Sequence, residues 1–104
     1  MKLCYLVGYP VEHSMSPAMH NAAFKALGLD VEYRLAPVEP GHLGAFIEKL
    51  REPDVLGANV TIPHKVEIMR HLDYVDETAH AIGAVNTIVH GDGRLTGYTT
   101  DATG

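Results

Sequence analysis

The stretch that decides the fold is LCYLVGYPVEHSMSPAMHNAAFKALG, residues 3–28. Its apolar run Leu3 to Val7 predicts a buried strand that is closed by glycine. After a loop, Ser16-Pro17 predicts a helix with serine as N-cap and proline at the first helical position. Gly28 stands where a left-handed C-cap is expected. The apolar residues that recur at helical spacing in between are Met19, Ala22, Ala23, Ala26 and Leu27.

Strands and helices are predicted to alternate along the rest of the chain. In order, the predicted elements are a strand at Val31–Ala36, a helix through Leu43, Phe46, Ile47 and Leu50 to Arg51, a strand at Val55–Val60, a helix from Pro63 through Val66, Met69 and Leu72, a short helix at Glu77–Ile82, and strands at Thr87–His90 and Arg94–Tyr98. Gly91-Asp92-Gly93 joins the last two strands as a hairpin turn. We therefore predict a three-layer α/β domain with a mainly parallel sheet that contains an antiparallel pair, and with helices on both faces.

Length and composition limit the function classes. The chain has 104 residues, 46% of them hydrophobic and 20% charged, which suits one globular core. A catalytic domain together with a dinucleotide domain would need about 250 residues. The formal net charge is −5, so the overall field repels nucleic acid.

Cysteine content and the N-terminal residues bear on location. Cys4 is the only cysteine, so no disulfide can form within the chain and nothing indicates an oxidising compartment. The first apolar run is too short for a signal peptide or a membrane span. We predict a cytoplasmic protein that does not bind membranes.

Two loops follow the carboxyl ends of predicted parallel strands, where α/β proteins bind ligands. In the first loop, Ser14 and Ser16 bring two hydroxyls to a helix N-terminus, an arrangement that suits a carboxylate or a phosphate. The alternative is that Ser16 is simply an N-cap and Ser14 a solvated loop residue. A nucleophile formed by His13 and a serine is a third alternative, although no G-x-S-x-G elbow is present.

The second loop places Lys65 in the first turn of the helix predicted from Pro63. The helix macrodipole disfavours a cation there, which suits an amine that exchanges a proton with a ligand. The alternative is a solvated surface lysine. Elsewhere, Asn86 lies next to an apolar segment and is interpreted, in isolation, as a turn residue before a strand. Asp101 also lies next to an apolar segment and is interpreted, in isolation, as an N-cap.

Two other patterns predict no site. The seven histidines are scattered without metal-ligand spacing, so no metal site is predicted. Gly91-Asp92-Gly93 lacks the third glycine of a dinucleotide fingerprint and lies inside a hairpin.

Four segments of the chain are distinctive together in their order and spacing. They are Gly8-Tyr9-Pro10 with His13-Ser14-Met15-Ser16-Pro17 and His20-Asn21, then Gly57-Ala58-Asn59-Val60-Thr61-Ile62-Pro63-His64-Lys65, then Ile82-Gly83-Ala84-Val85-Asn86-Thr87, and finally Thr100-Asp101. In this order and spacing they resemble the shikimate dehydrogenase family, and the resemblance spans Gly8 to Gly104. It implies NADP-dependent interconversion of 3-dehydroshikimate and shikimate, in the biosynthesis of aromatic amino acids.

The resemblance also implies roles for single residues. Ser14 and Ser16 fall on positions that bind the substrate carboxylate. Thr61, Asn86 and Asp101 fall on positions that hold ring hydroxyls. Lys65 falls on the catalytic acid/base, paired with Asp101, and Glu77 falls on a position that approaches the cofactor.

The chain departs from the family pattern in two respects. Thr99 stands where the family usually has asparagine, and no glycine-rich cofactor sequence follows Asp101. The resemblance therefore covers residues 1–104 as the substrate-binding domain alone, without the NADP-binding Rossmann domain, and this chain by itself is expected to have no turnover. A homodimer formed through an uncovered apolar surface is a further expectation.

Three alternatives remain open. Quinate as substrate is one, because quinate and shikimate share a carboxylate and vicinal hydroxyls. A non-catalytic module that binds carboxylates is the second. The preference for NADP or NAD is the third.

Overall fold

The computed structural model describes residues 1–11 and 14–100 as a six-stranded sheet with three α-helices and one 3₁₀ helix. In chain order the elements are β1 (Lys2–Gly8), α1 (Ser16–Ala26), β2 (Val31–Pro37), α2 (Leu43–Leu50), β3 (Val55–Val60), the 3₁₀ helix (Glu67–His71), β4 (Tyr74–Val75), α3 (Glu77–Ile82), β5 (Thr87–Gly91) and β6 (Arg94–Tyr98).

The sheet is mainly parallel, as predicted. Its strand order is β2-β1-β3-β5-β6-β4. Strand β1 runs parallel to β2 and β3, and β4 runs parallel to β6, whereas β5 is antiparallel to both of its neighbours. The hairpin β5–β6 turns at Asp92 and Gly93, whose φ angles are 52° and 80°. Strand β4 was not predicted, because two residues are too short to show a periodic pattern.

Helices cover both faces of the sheet, which confirms the three-layer prediction. Alternation along β1 sends Tyr5 and Cys4 to opposite faces. On the Tyr5 face, α2 packs its apolar stripe into the core, and the ring of Phe46 meets Tyr5 edge to face at 5.7 Å between centroids. On the Cys4 face, α1 stacks His20 on Tyr33, with ring centroids 4.3 Å apart.

The core lies mostly between the sheet and α2. Its largest fully buried apolar side chains are Leu43, Leu50, Ile68, Ile88, Leu95, Val7, Val55 and Val85. Gly57 allows β5 to approach β3 closely, since a Cβ atom at this position would lie 2.1 Å from the carbonyl oxygen of Ile88.

Helix α1 differs from the prediction in two respects. Its N-cap is Met15, not Ser16, and Ser16 is the first helical residue. The side chain of Ser14 instead accepts a hydrogen bond from the backbone N–H of Ser16, at 3.2 Å. None of the helical residues is buried. The helix contacts Tyr33 of β2 through the side chain of Asn21 and the ring of His20. The predicted apolar stripe is therefore exposed, with Met19 70% accessible.

The helix predicted from Pro63 is wrong. Residues 61–64 form a turn in which the N–H of His64 donates to the carbonyl of Thr61 at 3.1 Å. Only the 3₁₀ helix Glu67–His71 follows, and it buries Ile68 while Val66 stays exposed. A proline at a helix start and a proline in a turn look alike in sequence, because the fixed φ of proline suits both.

Candidate functional site

Five of the predicted site residues lie at one edge of the sheet: Ser14, Ser16, Thr61, Lys65 and Asn86. The carboxyl ends of the parallel strands β1, β3 and β6 meet there, together with the start of the antiparallel strand β5. Backbone hydrogen bonds join the segments beyond the strands: Thr61 N donates to Val7 O at 2.9 Å, and Val60 N donates to Asn86 O at 2.8 Å. This is the edge at which α/β sheets bind ligands.

Ser14, Ser16 and Thr61 line one cleft of about 470 Å³ at this edge. Ser14 and Thr61 are half-buried, and the rest of the lining is apolar. Gly8 lets the Thr61 side chain pack close to the end of β1, because a Cβ atom at Gly8 would lie 2.3 Å from Cγ2 of Thr61. Three hydroxyls beside the start of α1 can bind a carboxylate or the hydroxyls of a small polar ligand.

Lys65 lies beside the residues that precede β5, and its backbone carbonyl accepts the N–H of Val85 at 2.9 Å. It sits in a turn two residues before the 3₁₀ helix and is half-buried. The macrodipole argument for this lysine therefore does not apply. Among residues 1–11 and 14–100 Lys65 has no ion-pair partner. Its expected partner, Asp101, lies outside the described residues, as does His13.

Asn86 holds the segment that leads out of β6. Its Oδ1 accepts hydrogen bonds from the N–H of Thr100 at 3.0 Å, the hydroxyl of Thr100 at 3.2 Å and the hydroxyl of Thr87 at 2.9 Å. The backbone N–H of Asn86 donates to Tyr98 O at 3.0 Å. Asn86 is thus a structural centre of this edge and is more than a turn residue.

Two polar residues of the same network were not singled out as site residues from the sequence. Asn59 of β3 donates through Nδ2 to Thr87 at 3.5 Å and accepts the hydroxyl of Tyr33 through Oδ1 at 2.9 Å. An amide inside the apolar run of β3 was the only available signal. Tyr33 gave none, because a tyrosine in a strand is ordinarily a packing residue. Burial raises the pKa of Tyr33 to about 12, so its hydroxyl stays protonated.

Glu77 lies apart from these residues, in the first turn of α3 after the outermost strand β4. Its side chain is exposed. The turn at Gly91-Asp92-Gly93 is not a dinucleotide loop, since it joins β5 to β6 in a hairpin and opens no helix. Within the described ranges no three His, Cys, Asp or Glu side chains are grouped to hold a metal, and no helix there could cross a membrane.

Comparison with known proteins identifies the family. A family model described as shikimate dehydrogenase substrate binding domain matches residues 6–88. The chain belongs to this family. A shikimate dehydrogenase (NADP(+)) of Geobacillus kaustophilus is 55% identical over 103 residues, which cover 99% of this chain and 37% of that protein.

Solved structures of related proteins show the same similarity. Shikimate 5-dehydrogenase from Thermus thermophilus, in complex with NADP(H) and shikimate, is 40% identical with a TM-score of 0.93, covering 98% of this chain and 39% of that one. The 5-ketofructose reductase of Gluconobacter sp. strain CHM43 is 32% identical with a TM-score of 0.91, and the match covers 96% of this chain and 36% of that one. This shikimate dehydrogenase-family chain thus spans somewhat more than a third of these relatives' length.

Proposed function

We propose that this chain supplies the substrate site of an NADP-dependent shikimate dehydrogenase, which reduces 3-dehydroshikimate to shikimate. The observation that carries the proposal is the joint placement of the Ser14, Ser16 and Thr61 hydroxyls in one cleft at the ligand-binding edge. Because the relatives extend well beyond the matched region, we assign residues 1–104 to the substrate-binding domain and NADP mainly to another domain. Glu77 is proposed as a residue that approaches the cofactor.

In this proposal, residues of the cleft and of the neighbouring strand ends share the binding of the substrate. Ser14 and Ser16 bind the carboxylate, aided by the partial positive charge at the start of α1. Thr61, Asn86 and Asp101 bind the ring hydroxyls. Lys65 and Asp101 are the catalytic pair.

Lys65 carries the acid/base chemistry. When the carbonyl carbon of 3-dehydroshikimate accepts a hydride, negative charge develops on the oxygen. The ammonium of Lys65 stabilises that charge and transfers its proton to the oxygen, so that a hydroxyl and a neutral amine result. Asp101 is the residue proposed to hold this amine in place. In the reverse direction the neutral amine accepts the proton.

Titration of the chain with shikimate, followed by NMR, tests this proposal. We expect saturable shifts at Ser14, Lys65 and Asn86, and smaller effects from quinate and simple dicarboxylates. Thr61→Ala should weaken shikimate binding by about fivefold, the effect of one lost hydrogen bond. Thr78→Ala, which removes the hydroxyl of an exposed threonine in α3, should not.

The same titration separates the alternatives. Tighter binding of quinate favours quinate dehydrogenase, and equal response to any dicarboxylate favours a non-catalytic carboxylate-binding module. Because one relative is a 5-ketofructose reductase, 5-ketofructose belongs in the ligand set. Absence of shifts with shikimate at millimolar concentration would contradict the proposal.

We also propose that the protein is cytoplasmic and that its ligands do not include nucleic acid or membrane lipid. The single cysteine and the net charge of −5 support this. A homodimer is proposed as well, supported by the exposed apolar side of α1. Sedimentation tests the homodimer, as described in the Discussion.

A further inference from the structure

A chain of side-chain hydrogen bonds crosses the α1 side of the sheet and ends at Asn86. It begins at Tyr33 of β2, which is 4% exposed. The hydroxyl of Tyr33 reaches across β1 to Oδ1 of Asn59 at 2.9 Å. From Asn59 the chain continues to Thr87 at 3.5 Å, and from Thr87 to Asn86 at 2.9 Å.

Chemistry fixes the direction of every bond in this chain. An amide oxygen only accepts, so Tyr33 must donate its single proton to Oδ1 of Asn59. The amide of Asn59 is thereby oriented with its NH₂ toward Thr87. The hydroxyl of Thr87, which accepts from Asn59, gives its own single proton to Oδ1 of Asn86.

The result is an Asn86 side chain with a defined orientation. Its Oδ1 receives three donors, from Thr87 and from the N–H and hydroxyl of Thr100. Its Nδ2 has no hydrogen-bond partner in the described part of the chain. Within residues 1–11 and 14–100, both N–H groups of the Asn86 side-chain amide are therefore left to donate to a ligand oxygen.

We propose that Tyr33 is a positioning residue, which holds the Asn86 amide with its NH₂ toward the ligand by means of Asn59 and Thr87. This inference rests on the proposed function in assigning Asn86 to substrate binding. An Asn86 amide held in this orientation makes the site select for a ligand oxygen that accepts a hydrogen bond at this position. Tyr33 itself does not contact the substrate in this proposal.

Helix α1 holds Tyr33 in the required place. Asn21 accepts the backbone N–H of Tyr33 at 2.7 Å and donates to its carbonyl at 3.0 Å, while His20 stacks on its ring. Since α1 begins with the cleft residue Ser16, one helix both forms the serine side of the cleft and clamps the start of the hydrogen-bond chain.

Replacement of the hydroxyl tests the proposal without any ligand. In Tyr33→Phe we expect the Asn86 side-chain NH₂ signals to shift and the Thr100 amide to exchange about fivefold faster, the effect of one weakened hydrogen bond. Tyr5→Phe is the matched control, because Tyr5 lies on the neighbouring strand, is 3% exposed, and has a buried hydroxyl without a hydrogen-bond partner among the described residues. Tyr5→Phe should leave both signals unchanged.

A second variant guards against a structural effect at Tyr33. Thr87→Val removes the hydroxyl with little change of shape, and it should reproduce the Asn86 shifts of Tyr33→Phe. The double variant should add little further change, since the two hydroxyls act in one chain. Thr87→Ser, which retains the hydroxyl, should restore the wild-type Asn86 signals.

Shikimate titration completes the test. We expect Tyr33→Phe to bind shikimate about fivefold more weakly than the wild-type chain and Tyr5→Phe to bind equally well. Unchanged Asn86 signals in Tyr33→Phe, or equal shikimate affinity of Tyr33→Phe and wild type, would overturn the positioning role alone. A wild-type chain that takes up no shikimate would overturn the proposed function together with this inference.

Discussion

Lys65 is the residue on which the proposed chemistry depends. Its backbone is held to the segment before β5, while no ion-pair partner for its amine lies within residues 1–11 and 14–100. The turn at residues 61–64, and not a helix terminus, places it. Within the described residues, the amine is therefore positioned by the backbone and left available for a ligand.

The first prediction concerns Lys65 in the proposed NADP-dependent shikimate dehydrogenase, of which this chain would be the substrate domain. Lys65→Ala should lower kcat by about 10²- to 10⁴-fold, the usual contribution of general acid catalysis, with a modest change in KM. Steady-state kinetics over a range of shikimate concentrations measures both. Lys25→Ala, on the exposed side of α1, is the matched control. A near-normal kcat would remove Lys65 from the acid/base role.

The second prediction concerns Asp73 and pH. Hydrogen bonds from Arg51, at 2.7 Å, and from the N–H of Leu95, at 2.8 Å, lower the pKa of Asp73 below its ordinary value. A carboxyl with a lowered pKa in the folded state stabilises the fold above the unfolded-state pKa of about 3.9, and this stabilisation is lost as the pH falls through the folded-state pKa.

Urea unfolding between pH 7 and pH 2 tests the role of Asp73. Asp73→Asn should flatten the loss of stability at acid pH. Asp54→Asn should not, because the exposed Asp54 carboxylate has no side-chain hydrogen bond or ion pair among the described residues. Identical acid profiles for wild type and Asp73→Asn would exclude this carboxyl as a source of the pH dependence.

At the scale of elements, the contact between β3 and β5 decides whether the site forms. It places Asn59 opposite Thr87. The approach is close because Gly57 has no side chain, so the carbonyl of Ile88 occupies the space of a Cβ atom. The same pairing carries Asn86 to the ligand-binding edge.

The third prediction tests that pairing. Gly57→Ala should destabilise the chain by about 1–3 kcal/mol, the cost of forcing backbone apart in a packed region. Gly91→Ala is a matched control in β5, since a Cβ atom there would meet nothing within 4 Å. Urea unfolding measures both. Equal free energies of unfolding for the two variants would contradict this prediction, because β3 and β5 would then accommodate the added Cβ atom at no cost in stability.

At the scale of the whole molecule, the two faces of the sheet are unequally covered. Helix α2 buries four apolar side chains, whereas α1 buries none. The exposed side of α1 carries Met19 and, just beyond the helix end, Leu27, which are 70% and 72% accessible. Exposed apolar patches of this kind mark interaction surfaces.

The fourth prediction is that this chain self-associates through α1. Sedimentation at several concentrations should show an average mass that rises with concentration, and Met19→Lys should reduce the rise. Ile82→Lys adds the same charge at an exposed apolar residue of α3 and should leave the association unchanged. A chain that stays monomeric at every concentration would contradict the homodimer proposal.

The fifth prediction concerns the cofactor. Under the proposed function NADP binds mainly to another domain, so NADP should show no saturable binding to this chain and no turnover should be detected. Calorimetric titration measures the binding, with shikimate as the comparison ligand. Micromolar affinity for NADP would overturn the assignment of residues 1–104 to the substrate-binding domain.

Local patterns in the sequence determined most of the architecture. The alternation of strands and helices, the bounds of β3 and α3, the β5–β6 hairpin and the parallel sheet all follow from periodicity and turn residues, which act over a few neighbouring positions. The motifs with Ser14, Thr61, Lys65 and Asn86 also predicted a site at this edge, because the edge follows from strand direction alone.

Only the tertiary structure decided which groups meet. A proline pattern could not distinguish a helix at Pro63 from a turn, and an apolar stripe could not show that α1 stays uncovered. The hydrogen-bond chain from Tyr33 to Asn86 joins residues 53 positions apart in sequence (86 − 33) through strands that are not consecutive. Such contacts depend on sheet order and register, which no local pattern specifies.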